Sequence, residues 1–246
     1  MKVKASLHTH SGADRTEGEA IGYSVFELLD TAKRADIKVL AHTCHQYFVW
    51  DEAWRIYAES LGILLIPGVE LVINEGGSRN HIVAINCDDS ISAVQSFADL
   101  QKYRQEHPDL LLIAAHPNFG LGESLGMERL EKYWYLFDAV ENSWFYTRQF
   151  NLNTKAQSLA QQKNKPYIAT ADLHNFNFFC LSTDYAILDL PELTVSAVIT
   201  AVRQGTFANV TAPKSWPVLI KAGLQALTMG QRLRLTKWLK RFSISA

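Results

Sequence analysis

The 246-residue chain is 48% hydrophobic and 20% charged, with a formal net charge of -1. That composition is globular and excludes a disordered, fibrous or generally basic nucleic-acid-binding protein. The length suits one α/β domain better than two. Cys44, Cys87 and Cys180 are too few and too odd in number for a disulfide framework. With no signal-type apolar run and no membrane-spanning stretch, the expectation is a soluble cytoplasmic protein.

Val3 to Leu7 reads as a first strand, Phe26 to Ala32 as a helix and Ile37 to Ala41 as a second strand. Trp50 to Leu61 is helical in pattern, Ile63 to Ile66 a strand, and Ile82 to Ile85 another. A helix over Ala93 to Glu106 precedes a buried strand over Leu110 to Ala115, and Ala139-Val140 end a short one. Asn153 to Lys163 predicts a helix, Tyr167 to Thr170 and Ala186 to Leu188 strands, and Val195 to Gln204 a helix stopped by Gly205. Such alternation predicts a mainly parallel sheet with covering helices. Neither a dinucleotide-binding glycine fingerprint nor a phosphate loop of Walker type is present. Gly120-Leu121-Gly122 lacks the surroundings of either.

Polar residues fall at the C-terminal ends of these strands, where α/β active sites form. His8 and His10 follow the first strand, His45 the second, Glu70 the run Ile66-Pro67-Gly68-Val69, His116 the run Leu111 to Ala115, and Asp172 the run Tyr167 to Ala171. Five strand ends feeding one rim fit a closed barrel more easily than an open sheet. In extended chain, residues two apart share a face, so His8 and His10 can meet one ion or neighbouring ions, as can Asp172 and His174. Each residue alone has an ordinary reading. His45 could sit in a loop, Asp172 cap a turn and His116 shape a strand exit before Pro117. With His81 they form a set whose collective reading is a multi-metal site. His42 reads as structural and His107 as solvated.

These segments resemble the polymerase-and-histidinol-phosphatase (PHP) superfamily over roughly residues 1–182. His8-Thr9-His10 is similar to its opening motif and Thr43-Cys44-His45 to its second, usually Thr-Asp-His. Gly68-Val69-Glu70 is similar to the segment supplying a bridging glutamate, Asn80-His81-Ile82 to the next ligand segment, and Ala115-His116-Pro117 to the third motif. Ala171-Asp172-Leu173-His174 is similar to the last, commonly Ser-Asp-x-His, and Glu141-Asn142 with residues 153–160 to the segment before it. The resemblance implies a distorted seven-stranded β/α barrel, TIM-barrel-like, with a trinuclear site. Two or three zinc, manganese or iron ions would be held by His8, His10, His45, Glu70, His81, His116, Asp172 and His174. An Asp shortly after the opening pair is common in the family. Here Asp14 is the candidate, with Glu17 and Glu19 as substitutes, and all three have a solvated reading. Cys44 stands where Asp is usual and reads as a small buried cysteine before a thiolate ligand. Ala171 replaces a common Ser.

The expected reaction is hydrolysis of a small phosphomonoester by a metal-bridging hydroxide attacking phosphorus. Glu70 would bridge two ions, Asp172 and His174 would lie near the attacking water, and His116 or His174 would move a proton. Arg148, in the loop after the Ala139-Val140 strand, is the candidate phosphate contact. Arg79, Asn118 and Asn175 are weaker ones. The alternative is a phosphodiesterase or exonuclease acting on nucleotides or nucleic acid ends. Amide or lactone hydrolysis and metal binding without catalysis are the remaining classes. Residues 1–212 are assigned to the barrel and 213–246 to a basic amphipathic helical extension. Glu192 is the last acidic residue. In the extension Leu235, Trp238, Leu239 and Phe242 form an apolar stripe among Arg234, Lys237, Lys240 and Arg241. A helix docked on the barrel with snorkelling charges is weighed against a contact for nucleic acid, an anionic membrane surface or a protein groove. The oligomeric state is left open.

Overall fold

The computed structural model describes residues 1–118 and 124–228 of the chain. Gly120-Leu121-Gly122 and the stripe of Leu235, Trp238, Leu239 and Phe242 lie outside the described residues.

Nine strands form one sheet: β1 Lys2–Ser6, β2 Ile37–His42, β3 Leu64–Glu75, β4 Ser78–Ile85, β5 Leu111–Ala114, β6 Ala139–Asn142, β7 Tyr167–Ala169, β8 Tyr185–Asp189 and β9 Phe207–Val210. Their order is β7-β6-β5-β4-β3-β2-β1-β8-β9. The sheet rolls into a nearly closed α/β barrel of nine strands, against the seven expected. The Asn209 side chain links the two edges, accepting from the Ala169 N–H (2.8 Å) and donating to the Tyr167 carbonyl (2.7 Å). At one end Thr9 and Leu173 form a parallel bridge, which draws the continuation of β1 against that of β7.

The expected parallel sheet is corrected to a mixed one. The pairs β1–β2, β2–β3, β5–β6 and β6–β7 are parallel, whereas β3–β4, β4–β5, β1–β8 and β8–β9 are antiparallel. The cause is local. Gly76 and Gly77 both have positive φ (61° and 75°), a conformation that two-residue hairpin turns require and glycine adopts without penalty. β3 therefore runs on to Glu75 and returns as β4, a long hairpin rising past the last β2–β3 pair, His42 with Pro67.

The helices are α1 Gly18–Ile21, α2 Val25–Arg34, α3 Glu52–Ser60, α4 Phe97–Glu106, α5 Met127–Lys132, α6 Asn153–Gln162, α7 Cys180–Thr183 and α8 Val195–Gln204, followed by α9 over residues 216–228. α2 starts in a reciprocal Ser24–Glu27 capping box, and such a cap contributes about 1 kcal/mol. Gly205 ends α8 at φ 68°, as its position predicts.

Val3, Ala5, Val39, Ala41, Ile85, Ile113 and Ile168 fill the barrel interior, joined by Val198 and Val202 of α8. Packed side chains, not a channel, occupy that space. After β9 the chain is anchored by Lys214, whose ammonium lies 2.5 Å from the buried Asp184 carboxylate. Leu219 and Ala222 of α9 pack beside Leu28 and Ile63. No described helix is long and apolar enough to cross a membrane.

Candidate metal centre

Glu70 is the hub of the site. It is 1% exposed and five imidazoles converge on its two oxygens. Oε1 lies 2.7 Å from His81 Nδ1 and 3.1 Å from His116 Nε2, and Oε2 lies 3.0 Å from His45 Nε2, 3.3 Å from His8 Nε2 and 3.4 Å from His10 Nε2. In the sequence pattern Glu70 follows one strand and His81 precedes the Ile82 to Ile85 run, but both lie within the β3–β4 hairpin. Glu70 pairs with Val83 and Val72 with His81, so the two are diagonal neighbours on one face. Gly68 is needed below them, since a Cβ there would stand 2.8 Å from the Ala84 carbonyl and 2.9 Å from the Thr43 methyl.

His8 and His10 leave β1 held by the Leu173 backbone, with His10 N–H donating to Leu173 O and Leu173 N–H to His8 O, each 3.2 Å. That contact sets Asp172 opposite the pair: Oδ1 is 3.5 Å from His8 Nε2, 3.4 Å from His10 Nε2 and 3.5 Å from His174 Nδ1. His116 and Asp172 both have positive φ, 26° and 42°. In non-glycine residues such backbone costs on the order of 1–3 kcal/mol and concentrates at functional sites. Here it is held by the His116 N–H donating to Glu141 Oε2 (2.7 Å) and by Asn177 Nδ2 donating to the Asp172 carbonyl (2.9 Å).

Among the described residues three groups present one ligand atom each within 4.8 Å of one another: His8, His10, Glu70 and Asp172; His45, Glu70 and His81; and His10, His45 and His174. Ligands about 2.1 Å from a cation stand roughly 3.0–3.4 Å apart along octahedral or tetrahedral edges, which is the spacing between Glu70 Oε2 and its three imidazoles. Asp172 Oδ1 is buried and lacks a hydrogen-bond partner among the described residues. An acceptor so placed is costly unless a cation or proton meets it. The donor set therefore fits several divalent ions.

Asp14 approaches from behind. Its Oδ2 accepts from the His45 backbone N–H (2.7 Å) and lies 2.8 Å from His45 Nδ1, while Oδ1 accepts from Thr16 and Glu17. None of the three convergent groups includes it. Glu17 is half-buried and Glu19 exposed. Cys44 faces away, with Sγ 3.2 Å from His42 Nε2, and Ser11 Oγ is 2.8 Å from the same nitrogen. Burial raises the Cys44 thiol well above its ordinary pKa, which keeps it protonated. Arg148 is exposed in the loop after β6, outside the carboxylate–imidazole contacts. Arg79 and Asn175 are also exposed, and Asn118 donates to the Leu152 carbonyl (2.8 Å).

Sequence reading missed Glu141 and Asn177 as site residues. Glu141, fully buried at the end of β6, places Oε1 3.3 Å from His8 Nδ1 and accepts from Thr170. The signal was available: a carboxylate in a short apolar strand needs a partner. Asn177 accepts from His174 N–H (2.6 Å) and ties down the Ala171 and Asp172 carbonyls.

Charge is distributed as this geometry requires. Burial opposes the charge on Glu70, but His81, His8 and His45 hold it well below the usual carboxylate range. Burial likewise disfavours imidazolium at His8, and Glu70, Asp172 and Glu141 outweigh it and raise the pKa well above normal. His45 is raised in the same way, and His116 to about 9. His174 is pushed down to about 4 by burial and by His10.

No protein-family model matches the chain, and no curated protein does. Solved structures do. A two-domain protein from Bacteroides vulgatus containing a predicted PHP-like metal-dependent phosphoesterase aligns over 90% of this chain and 69% of its own, with 18% identity and a TM-score of 0.62. An amidohydrolase from Chromobacterium violaceum with bound sulfate aligns over 83% of this chain and 97% of its own, with 14% identity and a TM-score of 0.55. Fold and site together define an α/β barrel with a buried polyhistidine–carboxylate centre able to hold several cations. The fold is shared with those two structures.

Proposed function

We propose that the protein is a metal-dependent phosphoesterase of the PHP superfamily that hydrolyses a small phosphomonoester. The convergence of five imidazoles on the two Glu70 oxygens carries the reading. Two or three zinc, manganese or iron ions, when bound, supply a low-pKa water and positive charge for the phosphoryl oxygens. The ligands are His8, His10, His45, Glu70, His81, His116, Asp172 and His174. Glu70 spans the two halves of the donor set, one oxygen facing His81 and His116 and the other His8, His10 and His45. Asp172 and His174 hold the half-open side, where Asp172 is 21% exposed and substrate enters. Asp14 and Glu141 fix which nitrogen of His45 and His8 faces inward, a positioning role common behind ligating histidines. His116 serves as a ligand through Nε2, which rules that nitrogen out as a general acid, and Arg148 is the candidate rim contact to phosphate. The catalytic unit is residues 1–212, in the cytoplasm, with 213–246 as an appended segment.

Phosphodiester or nucleic-acid-end cleavage is the second reading, motivated by the acid-free C-terminal segment. The test is turnover of p-nitrophenyl phosphate against bis-p-nitrophenyl phosphate after reconstitution with manganese, zinc or iron. Preferred monoester cleavage, abolished by chelation, is expected. Equal turnover without metal overturns the proposal, and preference for the diester selects the second reading.

A further inference from the structure

We propose that the outer face of α9 docks on an anionic lipid bilayer. Leu219 and Ala222 bury the inner face, yet Trp216, Ile220, Leu224 and Leu227 are 49%, 58%, 58% and 66% exposed. At about 100° per residue these four fall within an arc of roughly 80°. Lys221, Gln225 and Thr228 occupy the polar remainder. Phe150, in the loop after β6, extends the row, its ring centroid 6.1 Å from that of Trp216. A surface helix with both faces apolar has an unfilled contact, because the solvent side of a docked helix is ordinarily polar.

Charge identifies the occupant. No Asp or Glu follows Glu192. The Lys214 ammonium is spent on Asp184, but exposed Lys221 and then Arg232, Arg234, Lys237, Lys240 and Arg241 follow without a single acid. Apolar side chains with an indole among them, in a C-terminal sequence that carries cations and no anions, match the boundary between headgroups and acyl chains of an anionic leaflet. Bases stack on aromatic faces, and an aliphatic row with one indole offers little to nucleic acid. A symmetric contact with a second copy would bring two acid-free segments together.

The experiment is flotation of the full chain with vesicles of phosphatidylcholine alone or with about 30% phosphatidylserine. Binding to the anionic vesicles is expected to be at least ~10-fold tighter and to weaken strongly at about 0.5 M salt. The pair Ile220→Glu and Leu224→Glu should abolish it without changing the melting temperature or p-nitrophenyl phosphate turnover. Equal binding to both vesicles, no binding, or anionic binding indifferent to the pair overturns the inference. So does a dimer in sedimentation that the pair dissolves, or tight single-stranded DNA binding by a protein that ignores vesicles.

Discussion

Two buried carboxylates, at opposite ends of the barrel, have opposite partners. Asp138, just before β6, takes guanidinium donors from Arg104 (2.7 and 3.0 Å) and Arg203 (3.2 Å) and the Leu112 N–H (2.9 Å). Glu70, at the other end, takes five imidazoles. A guanidinium keeps its charge at every relevant pH, so the Asp138 network is complete and has nothing to exchange. An imidazole can give its proton up, so the Glu70 network can trade protons for cations. Burial and satisfaction alone therefore do not mark a functional carboxylate. The chemistry of its partners does.

Glu70→Gln should break the comparison most sharply. Loss of the central charge is expected to lower kcat/KM roughly 1000-fold or more in a protein that still folds. Near-normal turnover of the loaded variant would remove Glu70 from the mechanism. Behind the hub, Glu141→Gln and Asp14→Asn should each weaken metal affinity by about 10- to 100-fold, read by competition with a chelator. Unchanged affinity would make both merely structural. Asp138→Asn should do the reverse, costing about 2 kcal/mol of stability because both arginines are partly exposed, with metal affinity unaltered.

Proton exchange has a pH signature. Without metal, the raised pKa values of His8, His45 and His116 contribute stability that is complete below the ordinary histidine value of about 6.5. That contribution drains away as pH rises through the folded value, about 9 for His116. His174 and His42, both lowered to about 4, act only below neutrality. Between pH 7 and 9 the metal-free protein should therefore lose thermal stability while the metal-loaded one holds it, and a metal-free melting temperature that climbs over this range would contradict the assignment. The smallest expected effect is Cys44→Ala. Its thiol points at His42, so metal stoichiometry should not change and stability should fall by only about 1 kcal/mol.

The sequence by itself determined which chemistry is present. Strand–helix alternation and the histidines at strand exits announced an α/β barrel with imidazoles and carboxylates gathered on one rim. His8, His10, His45, His116, Asp172 and His174 lie beyond strand ends as expected, because strand exits are read from local apolar runs. Only the tertiary structure decided where the charge is shared. The Gly76-Gly77 turn carried a hairpin past the rim, made the β3–β4 and β4–β5 pairs antiparallel and set Glu70 and His81 inside strands. Asp14 came to lie against His45, and Glu141 came to lie against His8 from a strand whose pattern showed only a short apolar run. The reason is physical: periodicity reports which face of an element is buried, whereas a buried carboxylate's role depends on which donors from distant segments fold against it.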